Sequence, residues 1–332
     1  MNILYNEEIK NIFLSIYDNP RTQNTIKYVF YKSASIERYL DKDLYNFSLT
    51  QIGEVIEKSR PYSSTVARSS GRNISQYISW AIENGYSDIS LNPLKDVDSK
   101  WCDQFVDKNK RTHFSEDELY NIIIEHLPNA QDQALISVLF EGIIGEDFKE
   151  LKNLSYNNIN WETNEIIIIG RNTPIMVSDR TIWYLKKATN ETTYYFYNTE
   201  SDDYTKKELI DSKFIFKNVM SPRAKKGQPV SKQTFYSKLN SIKEILDVDF
   251  NPNSIKQSGM IKMAADIVKK KVEIGDMPEL AYNEFALIGE KYNVSKLSNN
   301  GYEYYNTNLI REFITEDKLN ELYGLIVSIS KR

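Results

Sequence analysis

HFSEDELYNIIIEHLPNAQDQALISVLFEGIIGEDFKELKNLSYNNINWETNEIIII, residues 113–169, changes its hydrophobic period along its length, and that change sets the fold class. Ser115 is followed three residues later by Glu118, the spacing at which a hydroxyl and a carboxylate cap a helix reciprocally. Helical spacing continues over Gln131–Gly142 and returns from about Asp147 to Leu154. The pattern then shortens. Glu165–Ile169 and Ile175–Val177, separated by Gly170-Arg171-Asn172-Thr173-Pro174, are expected to form two strands and a turn. The stretch YYFYNTESDDYTKKELIDSK, residues 194–213, is acidic and turn-rich, and helices are expected again from Ser231. The fold class that follows is mainly α with a small β-sheet.

Upstream, Ile9, Ile12, Phe13 and Ile16, then Ile26, Val29 and Phe30, recur at helical spacing on either side of Pro20. Ser48 or Thr50 can cap a third helix that ends before Pro61. Ser63, Ser64 and Thr65 open a fourth, which runs through Ile74, Ile78 and Trp80 to Asn84-Gly85. Residues 1–93 therefore read as a helical bundle closed by Asn92-Pro93. Residues 94–112 show weak periodicity and mixed charge, as an extended linker does, and residues 113–332 form the second domain.

At 332 residues the chain is long enough for two domains, and 41% hydrophobic with 27% charged residues is a globular composition. Cys102 is the single cysteine, and the histidines are His113 and His126; a disulfide framework and a Cys- or His-rich metal centre are excluded, and no cofactor is expected. No apolar run approaches the ~20 residues that span a bilayer, so a cytoplasmic, nucleoid-associated protein is expected. The formal charge of −4 averages over opposite halves. Between Lys213 and Lys271 stand 13 basic and 4 acidic residues, +9, which leaves −13 for the rest. That polarity suits one basic face on an acidic protein. Arg223, Lys225 and Lys226 lie in a basic loop, and Lys232, Gln233, Thr234, Tyr236 and Lys238 lie at the start of the helix that Ser231 can cap. Capped helix starts of this kind meet phosphates and base edges. Arg60, Ser64, Thr65, Arg68 and Arg72 cluster at a second helix start, and the two basic surfaces suggest a clamp on duplex DNA.

Two stretches carry a resemblance. Residues 48–94 resemble the core-binding domain of tyrosine recombinases and phage integrases: a helix, an Arg-rich helix opened by Ser and Thr, and a closing Asn-Pro. Residues 113–169 are similar to the opening of that family's catalytic domain, with Gly145, Glu150, Leu151, Leu154 and Ile159 at matching positions. The resemblance implies a two-domain fold and, in active members, attack by a tyrosine hydroxyl on a DNA phosphodiester aided by two arginines, a hairpin lysine, a histidine before the second arginine and a histidine or tryptophan near the tyrosine. Here the first arginine's place holds Asp147, the hairpin offers only Arg171, the His-x-x-Arg segment is Asn253 to Lys256, and the late Gly-His pair is Gly289-Glu290. Tyr302, Tyr304 and Tyr305 stand within reach of the nucleophile's place. An acid where a phosphate is clamped repels it, by several kcal/mol even at an effective dielectric of about 20. A catalytically silent member is therefore expected, nearest in kind to the recombinase-like master repressors of SPβ-type prophages, with operator-like DNA as its partner and self-association or a regulatory partner as further possibilities. Two other readings stay open on the sequence: an active recombinase built on Arg171, Lys256 and a late tyrosine, and an accessory partner of another recombinase.

Overall fold

Ser48 fixes one helix start in the computed structural model as the sequence expects: its hydroxyl accepts from Gln51 N–H, and the Gln51 side chain accepts from Ser48 N–H at 2.9 Å. The structure describes residues 4–61, 64–107, 113–198, 203–222, 226–246, 248–299 and 301–330. The chain divides into two units, Met1–Arg111 and Thr112–Arg332.

Unit one holds α1 (Glu7–Leu14), α2 (Pro20–Leu40), α3 (Leu49–Lys58) and α4 (Ser64–Glu83). Pro20 opens α2, where its missing N–H costs nothing. α4 ends where Gly85 takes φ 72° and Tyr86 N–H returns to Ala81 C=O at 2.9 Å. Phe13, Phe30 and Tyr77 build the centre, with the Phe30 and Tyr77 rings 4.7 Å apart. Trp80 packs beside them, stacked on Tyr77 and Tyr86. Lys10 is fully buried and is neutralised by Glu37 at 2.6 Å and Asp43 at 3.3 Å, the pairing a buried ammonium requires. Asn92 ties the closing segment to α4 through Ser75 C=O and the Ser79 hydroxyl.

The extended linker expected over 94–112 is not what forms in its described part. Ser99–Phe105 is a 3₁₀ turn packed on unit one, with Cys102 buried and Trp101 and Phe105 edge to face at 4.8 Å. Gly71 makes this seat: a Cβ there would stand 2.6 Å from the Cys102 sulfur. Three apolar contacts outweigh weak periodicity, and that could not be read locally.

Unit two begins with the expected Ser115–Glu118 capping box. It opens α5 (Glu116–Glu118), which widens into a π-helical turn over Leu119–Ile124. α6 (Ala130–Phe140) is buried at every residue and is the axis of the unit, as befits a helix apolar on most sides. Its first amides, Ala130 and Gln131, donate to the Glu191 carboxylate at 2.7 and 2.8 Å. The third expected helix is reduced to α7 (Lys149–Lys152), because Asp147 and Phe148 have φ of 51° and 59° and cannot continue a helix. β1 (Ile159–Asn160), β2 (Glu165–Ile166) and β3 (Ile175–Met176) form an antiparallel sheet in that order, with Ile166 opposite Ile159 and Ile175. α8 (Asp179–Asn190) starts at the Ser178 hydroxyl and packs on α6.

The stretch read as acidic and turn-rich is instead a hairpin, β4 (Thr193–Asn198) with β5 (Asp203–Glu208), Tyr195 facing Lys206. The unbroken aromatic run of Tyr194, Tyr195, Phe196 and Tyr197 is the strand signal that acidic composition obscured. α9 (Lys232–Leu246) and α10 (Pro252–Glu273) follow, the latter capped by Asn251 with proline at its first position. A second core joins the C-terminal half of α10 to β6 (Glu279–Leu280) and α11 (Tyr282–Lys291). The hairpin of β7 (Lys296–Asn299) and β8 (Tyr302–Tyr305) follows, then α12 (Thr307–Arg311) and α13 (Glu316–Tyr323), and β9 (Ser328–Ile329) closes parallel to β6. The expected fold class holds: helices dominate and the sheets are small. Among the described residues no helix is long and apolar enough to cross a membrane.

Candidate nucleic-acid interface

α9 presents the candidate reading face of unit two. Ser231 accepts from Thr234 N–H at 3.3 Å, which starts the helix as expected. Gln233, Tyr236, Ser237 and Asn240 then point outward at spacings of three and four, while Phe235 and Leu239 enter the core. The Gly145–Phe148 turn braces this helix start. Phe148 stacks on Phe235 at 5.2 Å and meets the Tyr236 ring edge-on at 4.9 Å, and Asp147 pairs with Lys232 at 3.1 Å. Gly145 has φ 65°, and a Cβ there would strike the Glu150 side chain at 2.7 Å.

Lys238, expected on the same DNA-facing surface, is 5% exposed and belongs to the interior. Its ammonium meets Asp132 at 3.0 Å and lies 3.6 Å from the Tyr194 ring centroid. Six residues after Lys232 the helix has turned Lys238 about 120° away from it, toward a buried carboxylate. The basic count for residues 213–271 is reduced in other ways. Lys217 is buried and donates to the carbonyls of Thr189 and Glu191, and Lys262 and Lys271 pair with Asp266 and Glu284. Lys226 is exposed, whereas Arg223 and Lys225 lie outside the described residues.

The hairpin turn delivers Arg171 to a different task from an open phosphate contact. Its guanidinium forks onto Glu150 at 2.7 and 2.6 Å and donates to Lys291 C=O at 2.9 Å and Gly142 C=O at 2.7 Å. Four of the five N–H groups of an arginine are thereby engaged, tying the hairpin to α7, α11 and the end of α6. Glu150 also accepts from Ile144 N–H at 2.9 Å. The expected stand-in for the hairpin lysine is thus a buried crosslink.

Lys256, on the second turn of α10, is the exception. Among the described residues its ammonium makes no ion pair, and its pKa is pushed down to about 8, by burial first and then by the positive Arg171, with Glu150 acting in opposition. Burial and a fixed guanidinium nearby both disfavour its charged form, so an anion arriving beside it would be drawn to the ammonium.

Of the other degenerate positions, Asn253 is exposed on the first turn of α10 and Glu290 on the last turn of α11. Tyr304 and Tyr305 sit on β8; Tyr305 packs over Gly289, with the Lys296 ammonium 5.2 Å from its ring centroid. Among the described residues neither hydroxyl bonds to Asp147, Arg171 or Lys256. Tyr292, not singled out before, is fully buried against Gly142 and Gly259, and burial pushes its phenol well up. His113 bonds to Gln257 and stacks near Phe313, a structural setting. Among the described residues no group of three or more metal-ligating side chains comes together.

In unit one, Arg72 is exposed on α4. Arg68, one turn before it, forks onto Asp103, with Nε to Oδ1 at 2.8 Å and a second, shorter contact to Oδ2. This pairing holds the Asp103 carboxyl below its usual range. Arg60 has φ 47° and pairs with Asp107 at 2.9 Å. Ser64 is half-buried at the start of α4; the side chain of Thr65, like Ser63 as a whole, lies outside the described residues. Sequence reading missed α8 as a surface. Arg180, Trp183 and Lys187 share its outer face, with the Lys187 ammonium 4.4 Å from the Trp183 ring centroid, and their spacing of three and four was the available signal.

The chain belongs to the MrpR family: residues 113–324 match the family's C-terminal catalytic domain and residues 4–83 its N-terminal core-binding domain. It is 25% identical to the SPbeta prophage-derived uncharacterized protein YopR of Bacillus subtilis (strain 168), over 97% of each chain. Among solved structures it is similar to XerA recombinase, with 13% identity, a TM-score of 0.41 and coverage of 96% of this chain and 98% of that one. It is also similar to the Tn1549 transposon integrase in complex with transposon right end DNA, with 13% identity, a TM-score of 0.45 and coverage of 95% and 96%. The resemblance drawn from residues 48–94 and 113–169 therefore holds at the level of the family and its two named domains.

Proposed function

We propose that this member of the MrpR family binds double-stranded DNA sequence-specifically and represses transcription by occupying operator-like sites, maintaining lysogeny in a bacterial host without cutting DNA. Residues 1–93 serve as the core-binding domain and 113–332 as a degenerate catalytic-type domain, acting on DNA in the cytoplasm. The observation that carries the reading is the state of the cations that would surround a scissile phosphate. Asp147 occupies the first arginine's place and neutralises Lys232, and Arg171 is spent on Glu150 and two carbonyls. What remains outward is recognition chemistry: Gln233 and Tyr236 on α9, Lys226 before it, and Arg72 on α4. Such groups position and read a duplex but do not stabilise a pentacoordinate phosphate. YopR, the relative at 25% identity, is prophage-derived, which fits the repressor role.

Two measurements test it together. Selection from random duplexes with purified protein is expected to yield a defined motif, and incubation with a nicked suicide substrate carrying that motif is expected to give no covalent adduct. Asp147→Arg alone is expected to leave cleavage absent, because losses within a catalytic unit do not reverse one at a time. A phosphotyrosine-linked strand, lost in Tyr304→Phe or Tyr305→Phe, would overturn the reading in favour of a recombinase. Failure to select any motif would favour an accessory protein partner.

A further inference from the structure

In each unit an exposed cation at the candidate interface is held by a carboxylate of that unit. On α4 it is Arg68, forked onto Asp103; at the start of α9 it is Lys232, 3.1 Å from Asp147. Stability accounts for these pairs only in part. Lys232 and Asp147 are each about two-fifths exposed, where an ion pair contributes little to folding, and Arg68 and Asp103 are about a third exposed, where the forked geometry contributes somewhat more. Yet both acids are firmly placed. Asp103 rides on the 3₁₀ turn that Cys102 anchors in the core, and Asp147 follows Gly145 in a left-handed conformation beside a Phe148 stacked on α9. A carboxylate that meets a guanidinium through two oxygens also has the geometry of a backbone phosphate.

We propose that Asp103 and Asp147 are built-in phosphate mimics, specificity-determining residues that DNA must displace from Arg68 and Lys232 before those cations can contact its backbone. The inference rests on the DNA-binding reading above and adds to it a restraint on sequence-independent affinity. When Arg68 or Lys232 turns to a phosphate, the acid stays beside it and repels the same phosphate, so each site neutralises less than one full charge. Backbone contact alone is then a weak reason to stay on DNA, and the base-reading face of α9 decides where the protein rests. The low pKa of Asp103 agrees with an acid that remains ionised wherever the protein works.

The test uses the full chain and two labelled duplexes, one of random sequence and one selected by the protein. Asp103→Asn and Asp147→Asn keep size and hydrogen-bonding capacity while removing the charge. Asp266→Asn, which removes one of the two carboxylates that Lys262 meets on α10, Glu116 being the other, makes the same change in net charge away from these contacts. Asp103→Asn and Asp147→Asn are each expected to bind both duplexes several-fold more tightly than wild type. The slope of log K against log salt should steepen by up to about 0.9 in each, one phosphate's worth of counterion release. Asp266→Asn should match wild type. The proposal is overturned if the two test variants match Asp266→Asn in affinity and slope, or if they bind more weakly, which would make the acids positioning partners of their cations. Failure of wild type and every variant to bind any duplex in a salt-dependent way would refute the DNA-binding reading itself, a result distinct from a bound wild type with unchanged variants.

Discussion

Replacing Lys256 by Met should stabilise this protein, and the gain should depend on pH. The ammonium is half-buried, makes no ion pair among the described residues and feels the positive Arg171, so its pKa falls from 10.5 to about 8. At ~1.4 kcal/mol per pH unit, that displacement corresponds to about 3 kcal/mol. The direction follows from proton counting. Between pH 8 and 10.5 the unfolded chain keeps a proton on Lys256 that the folded chain has lost, so stability rises with pH across that window. Below pH 8 both states are protonated and the whole penalty is present; above 10.5 it has vanished. Lys256→Met should therefore exceed wild type by up to about 3 kcal/mol in urea denaturation at pH 7, and the two curves should converge by pH 10.5. A DNA phosphate bound beside Lys256 would restore the ammonium, so in that case wild-type DNA binding should take up a proton near pH 8 to 9 and weaken across that range more than the variant does. Equal stability at pH 7, or a difference that does not change with pH, would refute the reasoning.

Arg171→Leu removes one side of a buried ion pair and leaves Glu150 uncompensated, so a loss of about 3–5 kcal/mol of stability is expected in denaturation; a fully stable variant with weakened DNA binding would instead make Arg171 a phosphate contact. Arg72→Ala should flatten the slope of log K against log salt by about 0.9 if it neutralises one phosphate, and Arg68→Ala by less, since Asp103 already offsets that charge; unchanged slopes in both would remove α4 from the interface. Gln233→Ala should cut discrimination between selected and random duplexes by ~1–3 kcal/mol if the side chain makes one bidentate base contact, whereas equal losses on both duplexes would identify a backbone contact.

What the sequence made legible was local. The Ser115–Glu118 capping box, the Ser48 cap and Pro20 at the start of α2 each act within a few residues, and the structure realises all three. What it hid depends on residues far apart in the chain. Cys102 and Phe105 carry no helical period, yet they fold residues 99–105 onto α3 and α4 because the bundle offers seats such as the one over Gly71. The β4–β5 hairpin was masked by its acidic connection, although the aromatic run of residues 194–197 favours a strand. At the candidate site, which lysines face water is a tertiary fact. Lys232 and Lys238 stand on one helix, but their six-residue spacing sends one to the surface and the other to Asp132.

Counting charge along a chain is consequently a poor guide to the potential at its surface, and the way the count fails separates the cations by role. Lys217, Lys238 and Arg171 satisfy carbonyls or carboxylates that the core has desolvated, and their charge does not reach solvent. Arg68 and Lys232 do reach solvent but carry an acid with them. Lys256 alone among these six has no ion-pair or carbonyl partner among the described residues, and the fold bears an ionisation cost to keep it. Folding gives no reason for that expense, since an uncharged side chain of similar length would fill the same space. A site for an anion gives one, because cost to the free protein becomes affinity when the anion arrives. Lys256 is therefore the cation at which a folding cost and an affinity for an anion separate most cleanly, and Lys256→Met followed across pH 7 to 10.5 measures the first apart from the second.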